Sequence, residues 1–279
     1  MQQVRKEPAL TAPRWEWIAV GYYAYLLIVA LAIGRFARAR TAAFIGTVAC
    51  VGVIGAQEIV PLGPGIHRLT FAIIVPLVVL LVGYWLSGLF FTTPMLAVER
   101  RLMTIDDRFL RLPGVFAAYE ASPRLLRELM ETAYVLVYPV IPAAVATLVI
   151  GGHPEALPRF WATVLLAEFI SYGMLPWLQT RPPRALETVA ASHSQLAVRR
   201  FNAAILSRGS IQVNTVPSGH AAGAVATALA VVDVMPGAGV IFLALAATIV
   251  VSTVLGRYHY LVDSLLGVFV AVSAWLICR

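Results

Sequence analysis

Long apolar segments joined by short, arginine-bearing loops make up most of this 279-residue chain, and they limit what it can fold into. Hydrophobic residues account for 60% of the chain and charged residues for 13%, whereas about a quarter of the residues in a soluble domain are charged. The mean hydropathy is +0.82. Because the apolar segments are long enough to cross a bilayer as helices, the sequence predicts an all-α, polytopic membrane helix bundle.

We expect about eight membrane spans, at residues 15–33, 41–62, 69–91, 133–150, 160–178, 217–235, 238–255 and 259–277. Between the third and fourth spans, the chain from Ser122 onward has a cap-type residue and one apolar face, which predicts a helix lying at the membrane surface. The chain therefore divides into N-terminal transmembrane helices (1–91), an interfacial connection (92–131) and a transmembrane core (132–279).

The charge distribution indicates which partners the chain can have. The formal net charge is +7, and the 21 Lys and Arg residues lie in short loops rather than in one basic stripe. This pattern argues against nucleic acid and favours anionic lipid headgroups or a phosphate-bearing substrate. The positive-inside rule places the loops richest in arginine in the cytoplasm, and we expect the protein in the plasma (inner) membrane. No feature of the sequence defines an oligomeric state.

Three separate stretches carry residue types suited to phosphate chemistry. They are Arg181-Pro182-Pro183-Arg184, Val216-Pro217-Ser218-Gly219-His220, and Arg257-Tyr258-His259 with Asp263 beyond it. The fifth expected span ends at the first stretch, the sixth begins at the second, and the eighth begins at the third. All three are therefore expected on one membrane face, where the free amides of a helix beginning near Pro217 would attract an anion.

The histidines and the aspartate of these stretches predict covalent phosphoryl transfer. His259 and Asp263 are four residues apart, so we expect them to stack on one face of a helix. Asp263 can then hold one ring nitrogen of His259 and leave the other as a nucleophile. His220 is expected to protonate the leaving oxygen and later to activate water.

The remaining polar groups of the three stretches are candidates for binding phosphate. Arg181 has a planar fork for phosphate oxygens, and Ser218 with the amide of Gly219 can hold a further oxygen. Arg257 and Arg184 can supply additional positive charge. No carboxylate cluster suits magnesium, so we expect neither a metal ion nor another cofactor. Both cysteines of the chain, Cys50 and Cys278, lie in apolar segments and are interpreted as buried thiols.

These stretches resemble the sequence pattern of the type 2 phosphatidic acid phosphatase superfamily, over residues 104–277 of this chain. Arg181 and Pro182 match the first part of that pattern, the four residues 217–220 match the second part in full, and the third part is matched by Ser252, His259 and Asp263. The resemblance implies a six-helix-type phosphatase core toward the C-terminus. It also implies that His259 is the nucleophile, with Asp263 as its partner and His220 as the acid and base.

Two cations of the family pattern are replaced in this chain. A lysine is expected where Met174 stands, and an arginine where Thr253 stands. Arg257 is the first choice to supply the missing charge, with Arg184 and Arg200 as alternatives. The run from residue 257 to 263 is similar to the branch that holds inositol phosphorylceramide synthase and sphingomyelin synthase, which also tends to lack those cations.

Three functions stay open at this point. The first is a phosphatase acting on a diacylglycerol, sphingoid or polyprenyl phosphate. The second is a lipid phosphotransferase similar to inositol phosphorylceramide synthase, in which an alcohol replaces water in the second half-reaction. The third is a transporter or scaffold that keeps a relic site, which the presence of all three catalytic-type residues disfavours.

Several polar residues have no role in this scheme. Glu168 lies in the middle of an expected span, and intramembrane acids are functional candidates by default. His67, His153 and His193 lie in loops and are interpreted as surface histidines. His193 is the least safely dismissed of them, because it shares a loop with the second stretch.

Overall fold

The structure, a computed structural model, describes residues 14–59, 66–186 and 196–279. Within these ranges every long element is an α-helix, and extended pairing is limited to an isolated bridge between Thr180 and Asn214. The expected all-α membrane fold is confirmed. The helices are α1 Trp15–Ala32, α2 Arg40–Ile59, α3 Ile66–Gly88, α4 Leu96–Asp106, α5 Val115–Glu120, α6 Arg124–Val135, α7 Val137–Ile150, α8 Leu157–Gly173, α9 Ala197–Gly209, α10 Gly219–Val232, α11 Pro236–Leu255 and α12 Leu261–Cys278.

The expected count of eight spans is not confirmed. Five helical segments of the described chain are long and apolar enough to cross a membrane, and a sixth is added if α6 and α7 form one bent span. The expected fifth and sixth spans correspond to α8 and α10, which have only 17 and 14 residues. A 14-residue helix is about 21 Å long, which is less than the hydrocarbon thickness of a bilayer. The polar segments that carry the residues of interest follow the end of α8 and precede the start of α10.

The interfacial connection is more helical than the sequence indicates. It contains α4, a π-helical turn at Asp107–Arg111, α5 and the first part of α6. The helix expected from Ser122 is α6, and it exposes Leu125, Leu126 and Leu129 along one face. The fourth span, expected as one helix over residues 133–150, is instead broken at Leu136, where α6 and α7 meet at 63°.

Helix α10 lies at the centre of the bundle and packs against α7, α8, α11 and α12. Its sequence consists largely of alanine and glycine, and small residues allow helix backbones to approach closely in membranes. Gly223 lies directly against the carboxyl group of Glu168 on α8. Gly267 of α12 lies so close to α10 that a Cβ there would be 2.5 Å from the carbonyl oxygen of Ser218. This tight packing fixes the position of the residues at the start of α10.

Candidate active site

The side chains of Asp263, His259 and His220 form a continuous polar line. Oδ2 of Asp263 lies 3.3 Å from Nδ1 of His259, and Nε2 of His259 lies 3.2 Å from Nδ1 of His220. Asp263 and His259 are buried, with 0% and 4% of their surface exposed. A carboxylate at Nδ1 fixes the His259 tautomer with a free electron pair on Nε2, the nitrogen that faces His220.

His259 reaches this position from a turn, not from a helix as expected. Helix α12 begins at Leu261 with Tyr260 as its N-cap, so the four-residue spacing between His259 and Asp263 is not a helical repeat. The turn is held because the backbone amides of Tyr258 and His259 both donate to the carbonyl oxygen of Thr253, at 2.9 and 3.0 Å. Preceding them, Arg257 has a positive φ of 61°. The predicted contact between His259 and Asp263 is present, but a turn and not a helix brings the two residues together.

Asn214 joins Thr180, the residue just before the first stretch, to Asp263 of the third stretch. Its backbone amide donates to the carbonyl oxygen of Thr180 at 2.9 Å, and its side-chain amide donates to Oγ1 of Thr180 at 3.1 Å and to Oδ2 of Asp263 at 2.6 Å. The second stretch is tied to the same aspartate, because the amide of Ser218 donates to the carbonyl oxygen of Asp263 at 2.9 Å. Segments far apart in sequence therefore meet at Asp263.

Two further hydrogen bonds link the first stretch to the turn that carries His259. The amide of Arg184 donates to the carbonyl oxygen of Arg257 at 3.0 Å. The hydroxyl of Tyr260 donates to the carbonyl oxygen of Arg181 at 3.0 Å. The expected convergence of the three stretches at one end of the bundle is thus present in the structure.

Arg181 is engaged by an acid that the sequence did not single out. Its Nε and Nη2 donate to the two carboxylate oxygens of Glu99 at 3.1 and 2.8 Å, and its backbone amide donates to the same group at 2.8 Å. Burial alone would raise the pKa of Glu99, but the hydrogen bonds from Arg181 outweigh it and lower that pKa. The planar fork expected on phosphate is therefore occupied by Glu99, which leaves Nη1 as the outer donor.

Arg257 is held in a similar way by Asp106 of α4. Nη1 of Arg257 lies 2.5 Å from Oδ2 of Asp106, and the other carboxylate oxygen accepts the amide of Leu261 at 3.0 Å. Burial raises the pKa of Asp106, against the opposing effect of these two partners. Asp106 thus anchors both the turn and the start of α12. It holds the turn through its ion pair with Arg257.

Arg184 differs from these two arginines because no ion pair with a carboxylate involves it in the part of the chain that the structure describes. Its guanidinium lies 5.2 Å from the ring centre of Tyr258 and close enough to His220 for a Coulombic interaction between the two side chains. The first choice for the missing charge was Arg257; the geometry favours Arg184. Arg200, the third candidate, is exposed on α9.

Ser218 and Gly219 have local partners instead of a free anion site. Ser218 is fully buried and is the N-cap of α10, where its hydroxyl accepts the amide of Ala221 at 3.3 Å. The amide of Gly219, expected to bind a phosphate oxygen, donates to Oγ1 of Thr215 at 3.0 Å. Helix α10 begins at Gly219, so Pro217 precedes the helix and is not in its first turn.

Comparison with known protein families identifies the core of the chain. The family model described as the PAP2 superfamily matches residues 95–277, which contain α4 to α12 and all three stretches. The chain belongs to the PAP2 superfamily. This membership makes it a membrane enzyme of the phosphatase or phosphotransferase type. Searches of curated proteins and of solved structures found no match. Similarity to the inositol phosphorylceramide and sphingomyelin synthase branch stays a prediction.

The two positions that depart from the PAP2 pattern lie in different surroundings. Met174, at the C-terminal end of α8, lines an apolar groove against α1 together with Tyr25 and Trp177. Thr253 is fully buried, and its hydroxyl contacts Ser264 of α12 at 3.2 Å. Neither position therefore provides a positive charge near the histidines of this PAP2 enzyme.

Tyr134 contacts the histidine pair, and nothing in the sequence predicted this. Tyr134 of α6 is 1% exposed, its hydroxyl lies 3.4 Å from Nε2 of His220, and its ring stacks on the His220 ring at 5.3 Å. Its other face stacks on Tyr258 at 3.5 Å. Tyr134 lies 86 residues before His220, at the start of the fourth expected span, so no local pattern in the sequence indicated this contact.

The remaining unassigned residues lie away from the histidine pair or outside the described chain. His153 is partly exposed and lies 3.3 Å from Glu155. His193 and the side chain of His67 lie outside the described residues. Glu168 is buried on α8 against Gly219 and Gly223, and one of its carboxylate oxygens has no hydrogen-bond partner. No group of three or more metal-ligating side chains occurs in the ranges that the structure describes.

Proposed function

We propose that this PAP2 enzyme hydrolyses a lipid phosphate of the diacylglycerol, sphingoid or polyprenyl type through a covalent phosphohistidine. The line of Asp263, His259 and His220 carries this proposal, since it places a nucleophile, its orienting carboxylate and a proton carrier in direct contact. No step of the proposed reaction needs a metal ion or other cofactor.

The first half-reaction transfers the phosphoryl group to the enzyme. The electron pair on Nε2 of His259 attacks phosphorus, and the bond from phosphorus to the lipid oxygen breaks. That oxygen takes the proton from Nδ1 of His220, which enters the step as an imidazolium cation and is left neutral with its remaining proton on Nε2, so the lipid leaves as an alcohol. Because Nε2 and Nδ1 are now only 3.2 Å apart, the two rings must separate to admit the phosphate.

The second half-reaction returns the enzyme to its starting state. Water gives a proton to Nδ1 of His220 and attacks phosphorus, and the bond between phosphorus and His259 breaks to release inorganic phosphate. Arg184 and the outer Nη1 of Arg181 are proposed to bind the phosphate oxygens in both steps. Asp263 stabilises the His259 ring whenever it carries positive charge.

The proposal is tested with purified protein in detergent, a chelator and a panel of lipid phosphates. We expect release of inorganic phosphate from at least one lipid and a ³²P-labelled protein that is stable to base and labile to acid. His259→Ala should abolish both signals, whereas His153→Ala, a histidine away from the site, should keep them. Equal release by His259→Ala and the unmodified protein would contradict the assignment of the nucleophile.

One observation favours transfer to an alcohol as a second candidate function. A cavity of about 190 Å³ lies beside Arg184 and is lined by Arg199, Ala203, Leu206, Ser207, Gln212 and Tyr258. Its guanidinium donors and its hydroxyl and amide oxygens match the mixed donor and acceptor character of a hydroxylated acceptor. Under this alternative, an alcohol in the cavity replaces water in the second half-reaction.

Product analysis separates the two functions. If the enzyme is a transferase, the labelled phosphate of the substrate appears in a new phosphomonoester of the added polyol or lipid alcohol, and Ser207→Leu lowers this product without lowering enzyme labelling. If it is a phosphatase, inorganic phosphate is the only labelled product with every acceptor.

A further inference from the structure

Tyr134 belongs to none of the three sequence stretches, yet its hydroxyl faces the histidine pair. Nδ1 of His220 faces Nε2 of His259 at 3.2 Å, and the opposite ring nitrogen, Nε2, faces the Tyr134 hydroxyl at 3.4 Å. The distance to Tyr134 is at the long end of the hydrogen-bond range, and catalytic hydrogen bonds commonly tighten when substrate is bound.

The protonation state of His220 follows from its neighbours. Asp263 accepts the Nδ1 proton of His259, so Nε2 of His259 can only accept a hydrogen bond. Nδ1 of His220 must therefore donate to it in the resting enzyme, and its own Nε2 is then an acceptor for the Tyr134 hydroxyl. When His220 takes up a proton from solvent and becomes the cation that acts as the acid, Nε2 carries that proton and the same hydroxyl must accept it. A hydroxyl group can serve both states because it donates and accepts.

We propose that Tyr134 is a positioning residue that serves Nε2 of His220 in both protonation states and thereby keeps Nδ1 as the nitrogen that exchanges protons with the substrate. This proposal rests on the proposed function, in which His220 is the proton carrier. Tyr134 itself neither contacts phosphorus nor gives up its own proton in the cycle.

The packing of Tyr134 supports a fixed orientation. Its ring lies between His220, at 5.3 Å and 13°, and Tyr258, at 3.5 Å and 6°. Tyr258 is fixed in turn because its hydroxyl donates to Glu131 at 2.5 Å, and Glu131 also pairs with Arg199 at 2.7 Å. The Tyr134 ring is therefore held in one orientation, in which its hydroxyl faces Nε2 of His220.

The surroundings of His220 contain few groups that could replace Tyr134. Among the residues that the structure describes, the titratable or charged side chains that contact the His220 ring or act on it electrostatically are His259, Arg184, Tyr134 and Tyr138. Arg184 can only donate hydrogen bonds, so it cannot accept the Nε2 proton of cationic His220. Tyr138, whose ring edge meets His220 at 6.0 Å, lies close enough to Tyr134 for the two hydroxyl groups to interact.

The test compares Tyr134→Phe, which keeps the stacked ring and loses the hydroxyl, with Tyr23→Phe, a matched loss of a hydroxyl that donates to Val79 between α1 and α3. We expect kcat to fall about tenfold in Tyr134→Phe with KM unchanged within twofold, and no effect in Tyr23→Phe. The hydrogen bond that cationic His220 donates to Tyr134 is charge-assisted and stronger than the one that neutral His220 accepts, so its loss should move the alkaline limb of the kcat profile to lower pH in Tyr134→Phe.

An independent measurement uses ¹⁵N-labelled histidine and NMR of the resting enzyme, with His220→Ala to assign the signals. The unmodified protein should show His220 protonated at Nδ1, and Tyr134→Phe should show a mixture of tautomers. An unchanged kcat profile and an unchanged tautomer in Tyr134→Phe would overturn the inference, even if the enzyme is active. If the unmodified protein lacked phosphatase and transferase activity while its tautomer depended on Tyr134, the proposed function alone would fail.

Discussion

At the scale of single residues, Asp263 is the side chain on which most of the site depends. It is fully buried, contacts His259 at 3.3 Å and accepts a hydrogen bond from Asn214 at 2.6 Å. A carboxylate in this position must be compensated, since a buried charge without hydrogen bonds is strongly unfavourable. Asn214 supplies that compensation and at the same time holds Thr180, next to the arginines of the first stretch.

We therefore predict that Asn214→Ala lowers kcat for lipid phosphate turnover. Hydrogen bonds to charged groups contribute about 2 kcal/mol, which corresponds to a loss of roughly 30-fold if the bond is made in the transition state. Steady-state kinetics of Asn214→Ala measures this loss, with Gln212→Ala as the control in the same loop for hydrolysis by water. Activity within twofold of the unmodified protein would show that Asn214 has no influence on His259 through Asp263.

The functional residues divide into those that sequence reasoning can find and those that it cannot. His220, His259 and Asp263 stand out because they are polar groups at the ends of apolar segments. Asn214 and Tyr134 do not stand out, because each acts on a partner 49 or 86 residues away and each has a common residue type. Only the packing of α6 and of the loop before α10 brings them to the histidines.

The ion pair of Glu99 and Arg181 predicts a defined pH dependence of stability. The folded-state pKa of Glu99 lies below its unfolded value of about 4.3, so the pair adds stability above that pH and loses it as pH falls through the folded pKa. We expect the unmodified protein to unfold at a higher temperature than Glu99→Gln at pH 7. The difference should shrink as the pH is lowered below about 4.3, and a difference independent of pH would contradict the assignment.

At the scale of elements, the contact between α8 and α10 sets the position of the second stretch. Glu168 of α8 occupies the space above Gly223 and also borders Gly219, at the very start of α10. A Cβ at Gly223 would overlap Oε1 of Glu168, so this glycine is required for the two helices to approach. Glu168 and Gly223, whose missing side chain leaves room for the Glu168 carboxyl group, therefore form one packing unit beside His220.

This unit predicts a specific double-mutant result. Gly223→Ala should destabilise the protein by about 2 kcal/mol through overpacking, and the cost should fall below about 1 kcal/mol in a Glu168→Ala background. Gly52→Ala in α2 is a matched control, because nothing lies within 4 Å of a Cβ at that position. Thermal unfolding in detergent measures all four variants, and equal costs of Gly223→Ala in both backgrounds would rule out the clash.

The helix boundaries show which parts of the fold local sequence patterns can predict and which they cannot. The starts of α1 and α11 agree with expectation within two residues, because hydropathy changes sharply there. Helix α12 begins two residues after His259, since the backbone of that turn is tied to Thr253 of the preceding helix. The break at Leu136 lies inside an apolar segment, where nothing in the hydropathy distinguishes one bent helix from two.

At the scale of the whole molecule, the helices α4 to α12 that match the PAP2 superfamily pack against an N-terminal part that lies outside the match. Helices α1 and α3 both contact α8, and the hydroxyl of Tyr25 donates to the carbonyl oxygen of Gly173 at 2.6 Å. The N-terminal helices thus support the same helix that leads into Arg181. The division of the chain into three segments stays a prediction. The contacts of α1 and α3 with α8 join the first of these segments to the core.

The membrane orientation can be tested with single cysteines on the two expected faces. Glu120, in the interfacial connection, and Glu155, between α7 and α8, are both exposed, whereas the native Cys50 and Cys278 are buried. If the loops near the histidines are cytoplasmic, a membrane-impermeant maleimide should label Glu155→Cys in intact cells. Glu120→Cys should react only after the membrane is opened, because it lies on the side of Arg181 and Arg184. The reverse pattern would place phosphate release outside the cytoplasm and leave the chemistry of His259 unaffected.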